Sequence, residues 1–212
     1  MATLTKISAP RTTGIVTRER AFRLLDESLA KTAVWISGPA GSGKTTLVAS
    51  YLEARQLPCL WYRADSDDRD VATFFYYMGL AARQAAPRFR TRLPLLTPEF
   101  LLGVPTFARK YFETLFNRLK APFVIVLDDY QEIPADASLH AILNIALSMA
   151  PPGIHFIVLS RYEAPDAYAR HLANGRISRL GWEAVRLTES ESKEIVCAKG
   201  VRELPDPTLA LL

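Results

Sequence analysis

The chain has 212 residues, of which 49% are hydrophobic and 23% charged, so it is long enough for one sizeable globular domain with a small appendage. Its net charge is modest, 26 − 22 = +4, which permits contact with phosphate groups but does not require a nucleic-acid groove. The N-terminal segment lacks the apolar core of a signal peptide, and Pro151-Pro152-Gly153 interrupts the most apolar stretch, which argues against a membrane span. The chain has only two cysteines, which argues against a disulfide framework. We therefore expect a cytoplasmic protein.

Short apolar runs alternate with helical stretches along most of the chain. The first run, Ala33–Ser37, ends at a glycine-rich loop and is predicted to be a buried strand. The other predicted strands are 59–63, 123–129 and 154–161, with a weaker one at 183–187, and helices are predicted over 44–55, 71–85, 100–120 and 138–150. Strands that are apolar throughout and alternate with helices indicate a parallel sheet covered on both faces. We therefore predict a three-layer α/β sandwich with five strands.

The pattern changes after residue 187. Thr188 and Glu191 have the spacing of a capping box, which predicts a helix that continues to about Lys199 and ends at Gly200. A further apolar segment, 206–212, begins where the sequence stops. We expect the 212 residues to be a fragment of a longer protein.

The loop after the first strand matches the full phosphate-binding pattern, Gly38, four residues, then Gly43-Lys44-Thr45. Its glycines let backbone amides turn toward phosphates, and the following helix N-terminus adds partial positive charge. We predict that Lys44 reaches the β- and γ-phosphates of ATP and that the Thr45 hydroxyl binds Mg²⁺. The predicted loop contacts to ATP or ADP are Gly38, Pro39, Ala40, Gly41, Ser42, Gly43, Lys44, Thr45 and Thr46.

Two acids, Asp128 and Asp129, close the apolar run that starts at Phe123. Acids at the carboxyl end of a buried parallel strand face the crevice where open α/β sheets bind ligands. We predict that Asp128 helps to hold Mg²⁺ and that Asp129 positions or polarises the attacking water. Glu132, three residues further on, is an alternative for the second role.

Ser160 and Arg161 end the next apolar run in the same way. A cation at this place can face the γ-phosphate and thus distinguish bound ATP from bound ADP, because only ATP supplies its partner. We therefore count Arg161 among the nucleotide-binding and catalytic candidates, together with Lys44 and Asp129.

Taken together, these segments resemble the STAND signal-transduction ATPases, an AAA-like group, and within them the large ATP-binding LuxR-type (MalT-like) bacterial transcription regulators. The resemblance covers nearly the whole chain. The segments that carry it are GIVTRERAFRLL, GPAGSGKTTL, WYRADSDDRDVATFFYYM, FVIVLDDYQEI, FIVLSR and RLTESESKEI. The family's Tyr-His after the paired acids is Tyr130-Gln131 here, and its Gly-Trp helix after the first lid helix is not evident.

The resemblance implies a sheet order of 5-1-4-3-2, which places the strand before Arg161 between the other two strands of the site. It also implies that Ile15, Val16 and Arg18 lie near the base and ribose. The implied domains are an N-terminal segment (1–22) that contributes to the base site, a P-loop NTPase core (23–187) and the start of a helical lid (188–212).

The expected function is an ATP/ADP-binding switch with slow, Mg²⁺-dependent ATP hydrolysis that controls self-association. ADP would stabilise a closed monomer and ATP an open, self-associating state. DNA contact would then come only from a C-terminal domain outside this sequence. A P-loop kinase or another ATP-hydrolysing enzyme, and an ATP-binding module without turnover, stay open as alternatives.

Overall fold

The fold is seen in a computed structural model that describes residues 5–12, 14–86 and 93–198, apart from the side chains of residues 101 and 102. Across these ranges no helix combines the length and the apolar character needed to cross a lipid bilayer.

Five parallel strands form one sheet: β1 (Ala33–Ser37), β2 (Cys59–Arg63), β3 (Phe123–Asp128), β4 (Ile154–Ser160) and β5 (Ile177–Leu180). Their order across the sheet is β2-β3-β4-β1-β5, which is 5-1-4-3-2 counted from the other edge. The predicted α/β class, the parallel sheet and the strand order are confirmed. β4 lies between β1 and β3, so the residues after these three strands meet at one edge of the sheet.

Helices cover both faces of the sheet. They are α1 (Glu19–Ser28), α2 (Lys44–Ala54), α3 (Val71–Ala85), α4 (Val104–Phe116), α5 (Leu139–Met149), α6 (Ala169–Ala173), α7 (Trp182–Val185) and α8 (Glu189–Ala198). Successive strand residues point to opposite faces, so Ile125 and Leu127 of β3 join the core under α3, α4 and α5, while Val124 and Val126 join the core under α1 and α2. These two cores make the three layers.

The predicted position of the fifth strand, 183–187, is wrong. Those residues form the helical turn α7 and the segment after it, and the fifth strand is β5, Ile177–Leu180. β5 is an edge strand that pairs only with β1, and its middle residues Ser178 and Arg179 are not buried. A short, half-exposed edge strand lacks the continuous apolar run that marked the other four.

Both ends of the described chain pack onto this core. At the start, a 3₁₀ turn, Thr5–Ile7, buries Ile7, and Lys6 forms an ion pair of 3.0 Å with the fully buried Asp68. At the other end, Thr188 Oγ1 accepts from the Glu191 amide (3.2 Å) and Glu191 Oε2 accepts from the Thr188 amide (2.9 Å). The predicted capping box of α8 is therefore confirmed, whereas the predicted helix stop at residue 200 and the segment 206–212 lie outside the described residues.

Candidate nucleotide-binding site

The loop between β1 and α2 has the backbone geometry of an anion cradle. Gly41 and Gly43 adopt left-handed conformations, with φ of 73° and 78°, that side-chain-bearing residues rarely take. A Cβ added to either glycine would meet nothing within 4 Å, so open space lies in front of the loop. Gly38 has a different requirement, because its Cβ would lie 3.3 Å from Cε3 of Trp182. The glycines thus allow both a ligand and an indole ring to approach the loop backbone closely.

Lys44, the first residue of α2, curls back over this loop. Its Nζ donates to the carbonyl oxygens of Gly38 (2.7 Å) and Pro39 (2.8 Å) and to Oγ of Ser42 (3.1 Å). Burial lowers the pKa of the ammonium group, partly offset by the nearby carboxylate of Asp128. Phosphate oxygens make stronger, charge-assisted hydrogen bonds to an ammonium group than neutral carbonyls do. Lys44 is therefore placed to exchange its loop partners for a phosphate group.

Thr45 and Asp128 form the oxygen pair expected of a Mg²⁺ site. Thr45 Oγ1 donates to Asp128 Oδ1 over 3.1 Å, and the Asp129 amide donates to the same oxygen over 3.0 Å. Asp128 is only 4% exposed, and burial, followed by the charge of Asp129, raises its pKa. A carboxylate in such a setting is stabilised by a cation.

The described residues contain no cluster of three or more His, Cys, Asp or Glu that could hold a metal ion. Mg²⁺ at phosphate sites needs no such cluster, because it uses one or two protein oxygens and completes its shell with water and substrate phosphates. A hydroxyl and a buried carboxylate side by side therefore fit the ion, and Thr45 and Asp128 would hold it.

Asp129 is held by two neighbours in a strained backbone conformation. Its φ of 53° lies in the left-handed region, where a residue other than glycine is uncommon. Arg63 Nε donates to Oδ2 over 2.7 Å and Gln131 Nε2 donates to Oδ1 over 2.9 Å. Burial would raise the pKa of this carboxyl, but the hydrogen bonds from Gln131 and Arg63 outweigh it and hold the pKa below its usual value. Both oxygens of the predicted water-positioning acid therefore have protein partners.

Arg161 lies at the same edge of the sheet, directly after β4. Its amide donates to Oε1 of Gln131 over 3.0 Å, and its guanidinium is 3.7 Å from Oε1 of Glu132. It lines a polar cavity of about 410 Å³ together with Arg63, Asp129 and Glu132. Arg161 and Glu132 are both about half exposed. The structure thus brings Arg161 and both candidate acids together, and the contact of Arg161 with a γ-phosphate stays a prediction.

A second cavity, of about 290 Å³, opens beside the loop. The N-terminal segment lines it with Ile15, Val16 and Arg18, and Thr46 lines it from the start of α2. Its further walls are Gly14, Gly41, Ser42, Gly43, Leu47, Ser50, Trp182, Leu187 and Ile195. Mostly apolar walls with a few polar groups are typical of pockets for a base and a sugar. Ile15 and Val16 are therefore next to the loop, as the base-site prediction requires.

The guanidinium of Arg18 binds protein groups in this structure, and not the space predicted for the base and ribose. Its NH2 donates to the carbonyl oxygens of Val185 (2.7 Å) and Arg186 (3.0 Å) and to Oε2 of Glu191 (3.2 Å). Only 7% of Arg18 and 9% of Glu191 is exposed, and their Nε and Oε1 atoms have no partner. Arg18 thus ties the N-terminal segment to the start of α8, and its contact with a ribose stays a prediction.

Sequence reasoning missed the contacts of Arg63 and Gln131 with Asp129. It also missed the pairing of Glu191 with Arg18 and the place of Trp182 in the apolar cavity. A signal was present for Arg63. It ends the buried strand β2, as Asp128 ends β3, and residues in that place share one edge of a parallel sheet. No comparable signal pointed to Trp182, which follows the strand that was misplaced.

Comparison with known proteins assigns the chain to a family. The family model described as "Nephrocystin 3, N-terminal" matches residues 12–161. HTH-type transcriptional regulator MalT of Serratia proteamaculans is 26% identical over 192 residues, covering 89% of this chain and 21% of that protein. MalT of Yersinia enterocolitica is 27% identical with the same coverage. The chain therefore spans about a fifth of the length of these curated relatives.

A solved structure shares the fold. The Orc1 protein of Aeropyrum pernix, solved in complex with DNA, superposes with a TM-score of 0.53 at 15% identity, over 91% of this chain and 50% of that chain. At this identity the likeness concerns the fold alone. The similarity to MalT confirms the resemblance to MalT-like regulators drawn from the motifs. Since the family model covers most of its length, the chain belongs to the Nephrocystin 3, N-terminal family.

Proposed function

We propose that this chain is an ATP- and ADP-binding regulatory domain that hydrolyses ATP slowly with Mg²⁺ and uses the bound nucleotide as a switch. The observation that carries the proposal is the hydrogen bond of Thr45 to Asp128, directly next to Lys44 in the phosphate loop. A base and ribose would occupy the apolar cavity and the γ-phosphate the polar cavity. The similarity to MalT supports a regulatory role.

Each part of the bound nucleotide has a protein partner in this proposal. Backbone amides of the loop would hold the phosphates, and Lys44 would replace its bonds to Gly38 and Pro39 with bonds to the β- and γ-phosphates. Thr45 and Asp128 would hold Mg²⁺, which would neutralise part of the phosphate charge. Ile15 and Val16 would contact the base.

In the hydrolysis step, Asp129 would orient a water molecule in line with the γ-phosphorus. The water oxygen bonds to the γ-phosphorus while the bond between that phosphorus and the bridging oxygen breaks, and ADP leaves with the electron pair of the broken bond. The proton that the water loses ends on phosphate or in solvent. Lys44 and Arg161 would stabilise the charge on the transferred group. Asp129 lines the polar cavity and can therefore reach such a water molecule, but its present hydrogen bonds favour slow turnover.

The switch would depend on contacts that only ATP supplies. A ligand shifts a conformational equilibrium only by its different affinity for the two states. Arg161 and Lys44 can bind a γ-phosphate that ADP lacks. We propose that ADP holds a closed monomer, with α8 fastened to the N-terminal segment through Arg18 and Glu191, and that ATP favours an open, self-associating state. The proposed lid starts at residue 188, and the proposed core is 23–187.

Transcription control would belong to a larger protein. The curated relatives are named as HTH-type regulators and are about four times as long as this chain. We therefore propose a cytoplasmic LuxR-type regulator in which DNA contacts are made by parts that these 212 residues do not include.

One alternative has an observation in its favour. An ATP-binding module without turnover is compatible with Asp129, whose two oxygens are both engaged by Arg63 and Gln131. Quantifying phosphate release from saturating Mg·ATP separates the two functions. We expect slow release that Lys44→Ala abolishes.

Self-association is tested separately by sedimentation velocity. We expect a monomer with ADP and a larger species with Mg·ATP. The same sedimentation coefficient with both nucleotides would contradict the switch.

A further inference from the structure

We propose that Arg63 is a positioning residue that restrains Asp129 and thereby keeps ATP hydrolysis slow. The inference rests on the proposed function and deepens it by adding a device that sets the rate. Arg63 does not belong to the phosphate loop, the paired acids or the strand of Arg161.

The sheet brings Arg63 to Asp129. Arg63 is the last residue of β2, which pairs in parallel with β3 so that Arg63 lies opposite Asp128. The Ala64 amide donates to the Asp128 carbonyl over 2.8 Å and fixes this register one residue further. The side chain of Arg63 therefore projects from the same edge of the sheet as that of Asp129, and its Nε donates to Oδ2 over 2.7 Å. This is the length of a charge-assisted hydrogen bond.

The second carboxylate oxygen is held from the opposite side. Gln131 Nε2 donates to Asp129 Oδ1 over 2.9 Å, and Gln131 Oε1 accepts from the Arg161 amide over 3.0 Å. Asp129 is thus fixed between β2 and β4, in a left-handed backbone conformation. A carboxylate held on both oxygens cannot turn freely to accept a hydrogen bond from a water molecule.

This restraint acts on the step in which water bonds to the γ-phosphorus and ADP leaves with the electrons of the broken bridging bond. Asp129 must accept a hydrogen bond from that water to hold it in line. The guanidinium of Arg63 competes with that water molecule for Oδ2, and its positive charge makes Oδ2 a weaker hydrogen-bond acceptor. Because Arg63 acts through Asp129, removing it should change the rate of the chemical step and leave nucleotide affinity nearly unchanged.

The restraint is releasable, because its two partners are partly in water. The side chains of Arg63 and Asp129 are 60% and 28% exposed. Exposed ion pairs are weak and are screened by salt. Loss of this pair should therefore raise the turnover number by roughly two- to fivefold, which is the range set by measured surface pairs. Salt should have a similar effect on the wild-type chain.

The test compares three variants of the whole chain: Arg63→Ala, Arg63→Lys and Arg69→Ala. Arg69 is a matched control, since it forms an ion pair of the same length, 2.7 Å, with Asp136 and is similarly exposed. Steady-state ATPase assays yield kcat and KM for Mg·ATP at several NaCl concentrations, and thermal melts check folding.

We expect Arg63→Ala to raise kcat about two- to fivefold with KM unchanged, Arg63→Lys to stay closer to wild type, and Arg69→Ala to match wild type. The kcat of wild type should rise with NaCl, and the kcat of Arg63→Ala should not.

An unchanged or lower kcat in Arg63→Ala, with KM intact, would overturn the inference while leaving the proposed function in place. If the wild-type chain binds ATP without measurable turnover, Arg63→Ala must show turnover, and its absence overturns the inference. A wild-type chain that binds no nucleotide, and so behaves like Lys44→Ala, would overturn the proposed function and the inference with it.

Discussion

Thr45 at the start of α2 and Asp128 at the end of β3 share a hydrogen bond of 3.1 Å. β4 lies between β3 and β1, the strand that leads into Thr45, so this contact spans the crevice at the carboxyl edge of the sheet. Open α/β sheets bind their ligands at such an edge. The two oxygens are therefore brought together by the strand order, before any ion binds.

Removing the Lys44 ammonium group tests the phosphate loop. We expect Lys44→Ala to abolish ATP and ADP binding in isothermal titration calorimetry, because no other group in the loop can supply a mobile positive charge to the phosphates. Lys110→Ala, an exposed lysine on α4, serves as the control and should bind like wild type. Unchanged binding by Lys44→Ala would refute the assignment of the loop.

Asp128 tests the metal site. We expect Asp128→Asn to bind ADP in the absence of metal about as well as wild type, but to lose most of the gain in ATP affinity that Mg²⁺ provides. The reason is that an amide oxygen carries no charge for the ion. Titrations with Mg²⁺ and with excess EDTA measure this gain. An equal Mg²⁺ effect in both proteins would contradict the assignment.

Arg161 tests the discrimination between nucleotides. We expect Arg161→Ala to keep ADP affinity near that of wild type and to weaken ATP affinity about tenfold, the loss of one charge-assisted contact to a phosphate. Arg109→Ala, an exposed arginine on α4, is the control. Equal losses of ATP and ADP affinity would show that Arg161 does not sense the γ-phosphate.

Trp182 provides a spectroscopic test of the apolar cavity. It lines that cavity, whereas Trp35 and Trp61 are 2% and 4% exposed in the core. We expect ADP to change the tryptophan emission of the wild-type chain, because a base or ribose in the cavity would alter the surroundings of the indole. Trp182→Phe should still bind ADP in calorimetry but lose this spectral change. Persistence of the change would place the nucleotide elsewhere.

The pairing of Arg18 with Glu191 tests how α8 is attached. We expect Glu191→Gln to lower the free energy of unfolding at pH 7 by about 1–3 kcal/mol, because Arg18 would be left buried with a weaker partner. Urea denaturation measures this loss. Glu189→Gln, on the exposed side of the same helix, should stay close to wild type.

The same pair predicts a pH dependence. Burial raises the pKa of Glu191, but hydrogen bonds from the Thr188 amide, Arg20 and Arg18 outweigh it and leave the folded pKa below the unfolded one. The ionised carboxylate therefore stabilises the folded chain above the unfolded pKa, and this stabilisation is lost as pH falls through the folded pKa. The difference between wild type and Glu191→Gln should shrink as the pH falls below the usual pKa of a glutamate side chain. A constant difference would contradict this origin.

Most of the fold followed from the sequence because β1 to β4 are largely buried and carry short, nearly continuous apolar runs. β5 was not predicted, because an edge strand with Ser178 and Arg179 in its middle has no such run. Val185 and its neighbours instead suggested a strand where a helical turn forms. Local pattern cannot distinguish a short edge strand from a short amphipathic turn.

The site was predictable where chemistry depends on spacing along the chain, as in the loop and the paired acids. Pairings between side chains from distant segments were not predicted, although the place of Arg63 at the end of β2 already put it at the same edge of the sheet as Asp129. Arg63 contacts Asp129 from 66 residues away, and Arg18 contacts Glu191 from 173 residues away. Those contacts follow from strand register and helix packing, which one sequence does not reveal.

The most direct test of the switch is the identity of the nucleotide that the purified chain retains. The protein is denatured and the released nucleotide is separated by ion-exchange chromatography, with Lys44→Ala as the control. We predict tightly held ADP in the wild-type chain and none in Lys44→Ala. A wild-type chain that carries no nucleotide, and that binds ATP and hydrolyses it rapidly, would contradict a resting switch and indicate an ordinary ATP-hydrolysing enzyme.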